Sequence, residues 1–140
     1  MRYLFLAFAA VLTAFSTFSV VFSDFRAASG SDGITLSWTT SQENGLQDFA
    51  VERETQPNSE QWNQIDGLIK PTGAGSSYSF IDKSDNLLKT SSTTLFVYRI
   101  RVDGTDGSVA YSSNSSASYS FSGLSGVAKR TWGSIKAMFR

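Results

Sequence analysis

The stretch LFVYRIRVD, residues 95–103, constrains the fold more than any other part of the chain. Phe96, Tyr98, Ile100 and Val102 share one parity and Arg99 and Arg101 the other, the period of an extended strand with one dry face and one wet face. The same rhythm returns at Ile34, Leu36 and Trp38 against Thr35, Ser37 and Thr39, at Phe49 and Val51 against Glu52 and Glu54, and at Tyr78 and Phe80. A chain patterned this way is predicted to bury the apolar faces of sheets against each other.

Seven strands are expected. The first runs from Val20 and Phe22 to Ala27, with Phe25 turned to the core. The second begins at Ile34, and DFAVERET, after the turn-rich TSQENGL, is predicted to be its hairpin partner. QWNQI is a short strand anchored by Trp62, followed by SYSFID and LFVYRIRVD. After the turn DGTDG, Val109, Tyr111, Ala117, Tyr119 and Phe121 keep one parity and read as a final strand facing the core. Short strands separated by Gly, Asn, Asp and Ser clusters predict an all-β sandwich. An aromatic content of 14% against 17% charged residues suits half-buried sheets.

These segments, in this order, carry a family resemblance. FRAASGSDGITLSWTTSQENGLQDFAVERET, a Trp and Ile pair, YSFID, YRIRVDGTDG and a final AYSS resemble the fibronectin type III fold, particularly the versions in secreted bacterial surface proteins. The resemblance covers residues 20–121. It implies a seven-stranded immunoglobulin-like sandwich that serves as a binding or spacer module, with no fixed catalytic residues to carry over. The Leu-Pro-x-Thr corner frequent in that family is replaced by LLKTSSTTLFVY, so residues 83–94 depart from the pattern.

The N-terminus reads as an address. MRYLFLAFAAVLTAFSTFSVVFS has one Arg, an uncharged apolar run over residues 3–15 and then small residues, the layout of a secretory signal helix over residues 1–19. Small residues at Ala14 and Ser16, or at Thr17 and Ser19, predict a mature start near residue 17 or 20. A retained membrane anchor is the competing reading, although the run is shorter than the roughly 20 residues a spanning helix needs.

Charge divides the chain. Twelve acidic and twelve basic residues cancel overall, but residues 20–126 hold all twelve acids against seven bases, and Lys129, Arg130, Lys136 and Arg140 follow the last acid, Asp106. After a flexible linker over residues 122–126, residues 127–140 are predicted to form a basic amphipathic helix whose stripe includes Trp132, Ile135, Met138 and Phe139. Gly133 weakens it by about 1 kcal/mol, so it needs a surface to lie on. Three surfaces fit: a protein partner or sorting machinery, an anionic membrane, or the acidic sandwich itself.

Candidate chemistry is sparse. With no Cys and no His, disulfides, thiol nucleophiles, zinc fingers and histidine bases are excluded. Glu52 with Glu54, and Asp82 with Asp85, are paired carboxylates, the first pair expected on a solvated strand face. DGTDG reads as a β-turn rather than a calcium loop, since it lacks the distal Glu. Asn114-Ser115-Ser116 is a glycosylation sequon in a eukaryotic secretory pathway. A net-acidic sandwich disfavours nucleic acid despite Arg99 and Arg101. No cofactor or metal is expected.

The reading is a non-catalytic module, secreted or on a bacterial cell surface, serving adhesion or structure, with the tail as attachment or sorting element. One alternative is a subunit of an extracellular filament, self-associating by strand or helix exchange. The other is a carbohydrate-binding accessory module in which Trp62 stacks on a sugar.

Overall fold

The computed structural model describes residues 17–87 and 93–121. The signal segment, the linker and the basic tail, with Lys129, Arg130, Trp132, Ile135, Lys136, Met138, Phe139 and Arg140, lie outside the described residues, apart from Thr17 to Ser19. Among the described residues the chain is all-β, and no helix is long and apolar enough to cross a membrane.

Two antiparallel sheets face each other. One has the order β1 (Ser19–Ser29), β2 (Gly33–Asn44), β5 (Ser77–Lys83). The other runs β4 (Trp62–Gln64), β3 (Leu46–Glu54), β6 (Thr93–Gly104), and then β7 (Val109–Tyr111) and β8 (Ser115–Ser120), which pair one after the other with β6. A 3-10 turn, Ser84–Asn86, follows β5.

The alternation of the sequence becomes the core. Ile34, Leu36 and Trp38 of β2 meet Phe49 and Val51 of β3 and Phe96, Tyr98, Ile100 and Val102 of β6, all buried. The rings of Trp38 and Tyr78 stack at 5.3 Å, and Phe49 tilts against Tyr78 at 4.9 Å. Burying each such side chain contributes about 1.5–3 kcal/mol. A bulge between Val21 and Asp24 lets β1 send both Phe22 and Phe25 inward although they differ in parity.

The expected hairpin between β2 and β3 does not form. β2 is paired along one side with β1 and along the other with β5, so no edge remains for β3. Instead Gly45, at φ +64°, passes the chain from one sheet to the other, and the two strands meet face to face, with Trp38 edge-on to Phe49 at 6.0 Å. Each strand has one apolar face, and packing them across the sandwich covers both.

The final strand also differs. Pairing of β6 with β7 joins Arg101 to Tyr111, whereas pairing with β8 joins Tyr98 to Ser115, a register displaced by one residue. The shift occurs at residues 112–114, giving eight strands among the described residues in place of the seven expected. Ser112 bridges it: its N–H donates to Ile100 O at 2.9 Å and its Oγ accepts the Ile100 N–H at 2.8 Å. Because side chains alternate, a one-residue shift turns every following residue over. Tyr119 and Phe121 therefore face the core as expected, but Val109 and Tyr111 are half exposed on the opposite face.

Two edges are secured. The outer edge of β1 runs beside β8, where the Ala27 N–H donates to Ser115 Oγ at 2.9 Å and the Tyr119 hydroxyl to Ser31 O at 3.1 Å. The connection before β5 is held by Glu43, which accepts the Tyr78 hydroxyl at 2.6 Å and the Gly73 N–H at 2.8 Å.

Phe18, just ahead of β1, packs against the core, and its ring rests on Gly104: a Cβ there would lie 2.6 Å from Phe18 Cδ2. The folded unit thus reaches back at least to Phe18, two residues before the boundary expected at residue 20.

Candidate binding face

The outer face of the five-stranded sheet gathers the polar and aromatic side chains that the core excludes. Arg99 and Arg101 project from β6, Glu52 from β3, Trp62 and Gln64 from β4, and Tyr111 from β7. The register sets Glu52 opposite Arg99 on one side and opposite Gln64 on the other, with Arg101 opposite Tyr111.

Glu52 is the hub. Its Oε2 accepts Arg99 Nε at 2.7 Å and its Oε1 accepts Arg101 Nη1 at 3.1 Å. Arg101 turns its other nitrogens to Asp103, at 3.0 and 3.1 Å, and to Gln64 Oε1 at 3.2 Å. The hydrogen bond to Asp103, reinforced by Glu52, raises the Arg101 guanidinium above its ordinary pKa against the opposing effect of burial. Glu52 and Glu54 lie on the face away from the core, as expected, yet they are not solvated: Glu52 is 6% exposed and Glu54 8%. Two arginine guanidiniums cap the first and a loop wraps the second.

Arg99 is also stacked. Its guanidinium carbon lies 4.3 Å from the Trp62 ring centre and 3.9 Å from that of Tyr111, so a planar cation is held beside two rings from two other strands. Trp62, expected as an anchor and a sugar platform, is thus half-buried on the outer face with its orientation fixed by Arg99. Tyr111, 50% exposed, joins it only because of the register shift at residues 112–114.

Beside this column lies a groove of about 600 Å³ lined by Glu54, Asn58, Glu60, Trp62, Val97, Arg99 and Asn114. Its rim is residues 55–61, a loop in which Asn58 and Glu60 have φ of +65° and +55°. The Glu54 carboxylate imposes that shape: Oε1 accepts the Glu60 N–H at 2.7 Å and Oε2 the Asn58 N–H at 3.2 Å. The Thr55 N–H closes the loop on Gln61 O at 2.8 Å. Sequence reasoning singled out Trp62 and noted Arg99, Arg101 and the Asn114 sequon, but gave Asn58 and Glu60 no role. The Pro-Asn-Ser run marks a turn, but nothing in it announces a buried carboxylate behind it.

A second recess, of about 410 Å³, includes Ile65, Phe80, Asp82 and Asn86. Asp82, 2% exposed, is committed there to the Tyr98 hydroxyl and to Arg53. Its expected companion Asp85 stands exposed in the 3-10 turn. In DGTDG, Asp103 is held by Arg101 and Asp106 accepts the Ser108 N–H at 2.9 Å, an arrangement that closes a turn. Among the described residues no group of three acidic side chains is assembled for a metal.

No family model matches the chain, and no curated protein matches it.

Proposed function

We propose that this chain is an exported, non-catalytic surface or matrix module of the bacterial cell, with the outer face of the five-stranded sheet as its binding surface and residues 122–140 as its attachment or sorting element. The observation that carries the reading is the mutual engagement of the charged groups on that face. Glu52, Arg99, Arg101 and Asp103 are locked into one ladder, and Arg99 is stacked beside Trp62 and Tyr111. Fixed in this way, the ladder presents a rigid recognition surface.

Strand order supports the fibronectin type III-like reading. Immunoglobulin-type sandwiches place their first, second and fifth elements in one sheet and the third, sixth and last in the other. β1, β2 and β5, against β3, β6 and the broken β7 and β8, follow that order.

Export has a structural consequence. A cut between Ser16 and Thr17 leaves Phe18 on Gly104 and Ser19 paired with Asn44, while a cut after Ser19 removes both. Intact-mass spectrometry of the protein from its native cells, comparing membrane fraction and medium, tests the reading. The expected mature chain begins at Thr17 and lies outside the cytoplasm. A chain retained in the cytoplasm with residues 1–16 attached overturns it. Retention of the tail on membranes until salt or detergent frees it assigns attachment, and loss of residues after about Gly126 assigns sorting.

A further inference from the structure

We infer that the groove beside Trp62 is a binding site for a neutral saccharide, with Asn58, Glu60 and Asn114 taking its hydroxyls and Trp62 its apolar ring face. The inference rests on the reading above, since it names the ligand of that binding face.

The first support is unspent hydrogen-bonding capacity. Glu54 is engaged through both carboxylate oxygens and Arg101 through all three of its nitrogens, whereas the side chains of Asn58, Glu60 and Asn114, exposed at the groove or its rim, make no hydrogen bond or ion pair among the described residues. Two amides offer donors and acceptors together, and a carboxylate accepts from two hydroxyls at once. That set matches a polyol ring, whose every hydroxyl both donates and accepts.

Shape is the second support. Asn58 and Glu60 are held in left-handed backbone conformations that cost energy outside glycine, and the buried Glu54 carboxylate maintains them. Trp62 is held on the other side by Arg99. Both walls are therefore set before any ligand arrives, which lowers the entropy lost on binding. The volume lies in the range of about 300–1,000 Å³ usual for small-ligand sites.

Charge selects the class of sugar. Arg99 pairs through Nε with Glu52, and against this one cation the groove sets two carboxylates, Glu54 behind the rim loop and the unpaired Glu60. An anionic ligand such as a uronate or a phosphate would meet net repulsion there, so the ligand is an uncharged saccharide with an exposed C–H face to lay on the indole and Val97.

The test is a titration of the full mature chain with cellopentaose, xylopentaose, mannopentaose, laminaripentaose and chitopentaose, with pentagalacturonate as anionic control, read by tryptophan fluorescence and amide NMR shifts. At least one neutral probe should saturate with a dissociation constant of about 1 mM or tighter, and pentagalacturonate should not. Glu60→Gln and Asn58→Gly, the second keeping the positive φ while removing the amide, should each weaken binding about tenfold with the melting temperature unchanged. In a Trp132→Phe background, Trp62→Phe should abolish the fluorescence change, since the one indole left, Trp38, is buried in the core. Silence of every neutral probe at about 10 mM, or binding that ignores both Glu60→Gln and Asn58→Gly, overturns the inference. An exported protein indifferent to glycans defeats this site alone, and a glycan binder retained in the cytoplasm defeats the export reading alone.

Discussion

Tyr98 and Asp82 belong to opposite sheets, and the Tyr98 phenol donates to Asp82 Oδ2 at 2.8 Å through the core. Arg53 of β3, on the same inward parity as Phe49 and Val51, pairs with that oxygen and also donates to Asn86 O at 3.2 Å. One buried carboxylate thus ties β3, β5 and β6 together between the sheets. A charge this deeply buried is tolerated only because two donors meet it.

Removing one donor tests that tie. Tyr98→Phe keeps the ring and deletes the hydroxyl, and should cost about 1.5–3 kcal/mol, the worth of a hydrogen bond to a charged group. In a sandwich of this size that is a fall of roughly 6–24 °C in melting temperature. Denaturant unfolding of the variant measures it, and a loss under about 0.5 kcal/mol would mean the hydroxyl contributes nothing to stability.

The same pair sets an alkaline limit. Burial first, then the Asp82 charge and hydrogen bond, hold the Tyr98 pKa far above its ordinary value of 10.0, with Arg53 pulling weakly the other way. Above that ordinary value the unfolded phenol ionises and the folded one does not, so the native state holds the extra proton and loses stability as pH rises. The contribution is intact below about pH 10 and declines above it by up to about 1.4 kcal/mol per pH unit. Melting temperatures from pH 8 to 11.5 should fall more steeply for the wild type than for Tyr98→Phe. Parallel curves would show that this phenol does not govern the alkaline limb.

Gly104 and Phe18 form a second testable pair. Gly104→Ala drives a methyl into the Phe18 ring and should cost about 1–3 kcal/mol. Phe18→Ala alone should cost about 2 kcal/mol of lost burial. The double variant should cost less than the two together by about 1 kcal/mol, because removing the ring relieves the clash. Additivity within about 0.3 kcal/mol would mean that Phe18 does not occupy the Gly104 surface.

Arg99→Lys separates planarity from charge. Lysine can still pair with Glu52 but cannot lie flat beside Trp62 and Tyr111, so the change should cost about 1–2 kcal/mol, the sum of two modest cation–π contacts. In a Trp62→Ala background the penalty should shrink by about half, which a double-mutant cycle reads directly. An unchanged penalty would show the two side chains to be uncoupled.

The sequence by itself determined which faces of the strands are dry. Alternation at Ile34, Leu36 and Trp38 and at Phe96, Tyr98, Ile100 and Val102 reappears residue for residue as the core, since a period of two allows one apolar face per strand. Glycine at position 45 was legible as a turn, but not as a passage between sheets, because that depends on both edges of β2 being already taken by β1 and β5. Nor did the pattern reveal that Glu52 and Glu54 are buried, since their covers come from Arg99, Arg101 and a loop brought over them by pairing far along the chain. The one-residue shift at residues 112–114 is the sharpest case: an unbroken parity from Val109 to Phe121 predicts one core strand, and the structure turns Val109 and Tyr111 outward. Periodicity is a local property that survives in any extended segment, whereas register is settled only when a strand meets its partner, and the outer face that brings Tyr111 beside Arg99 exists because of register.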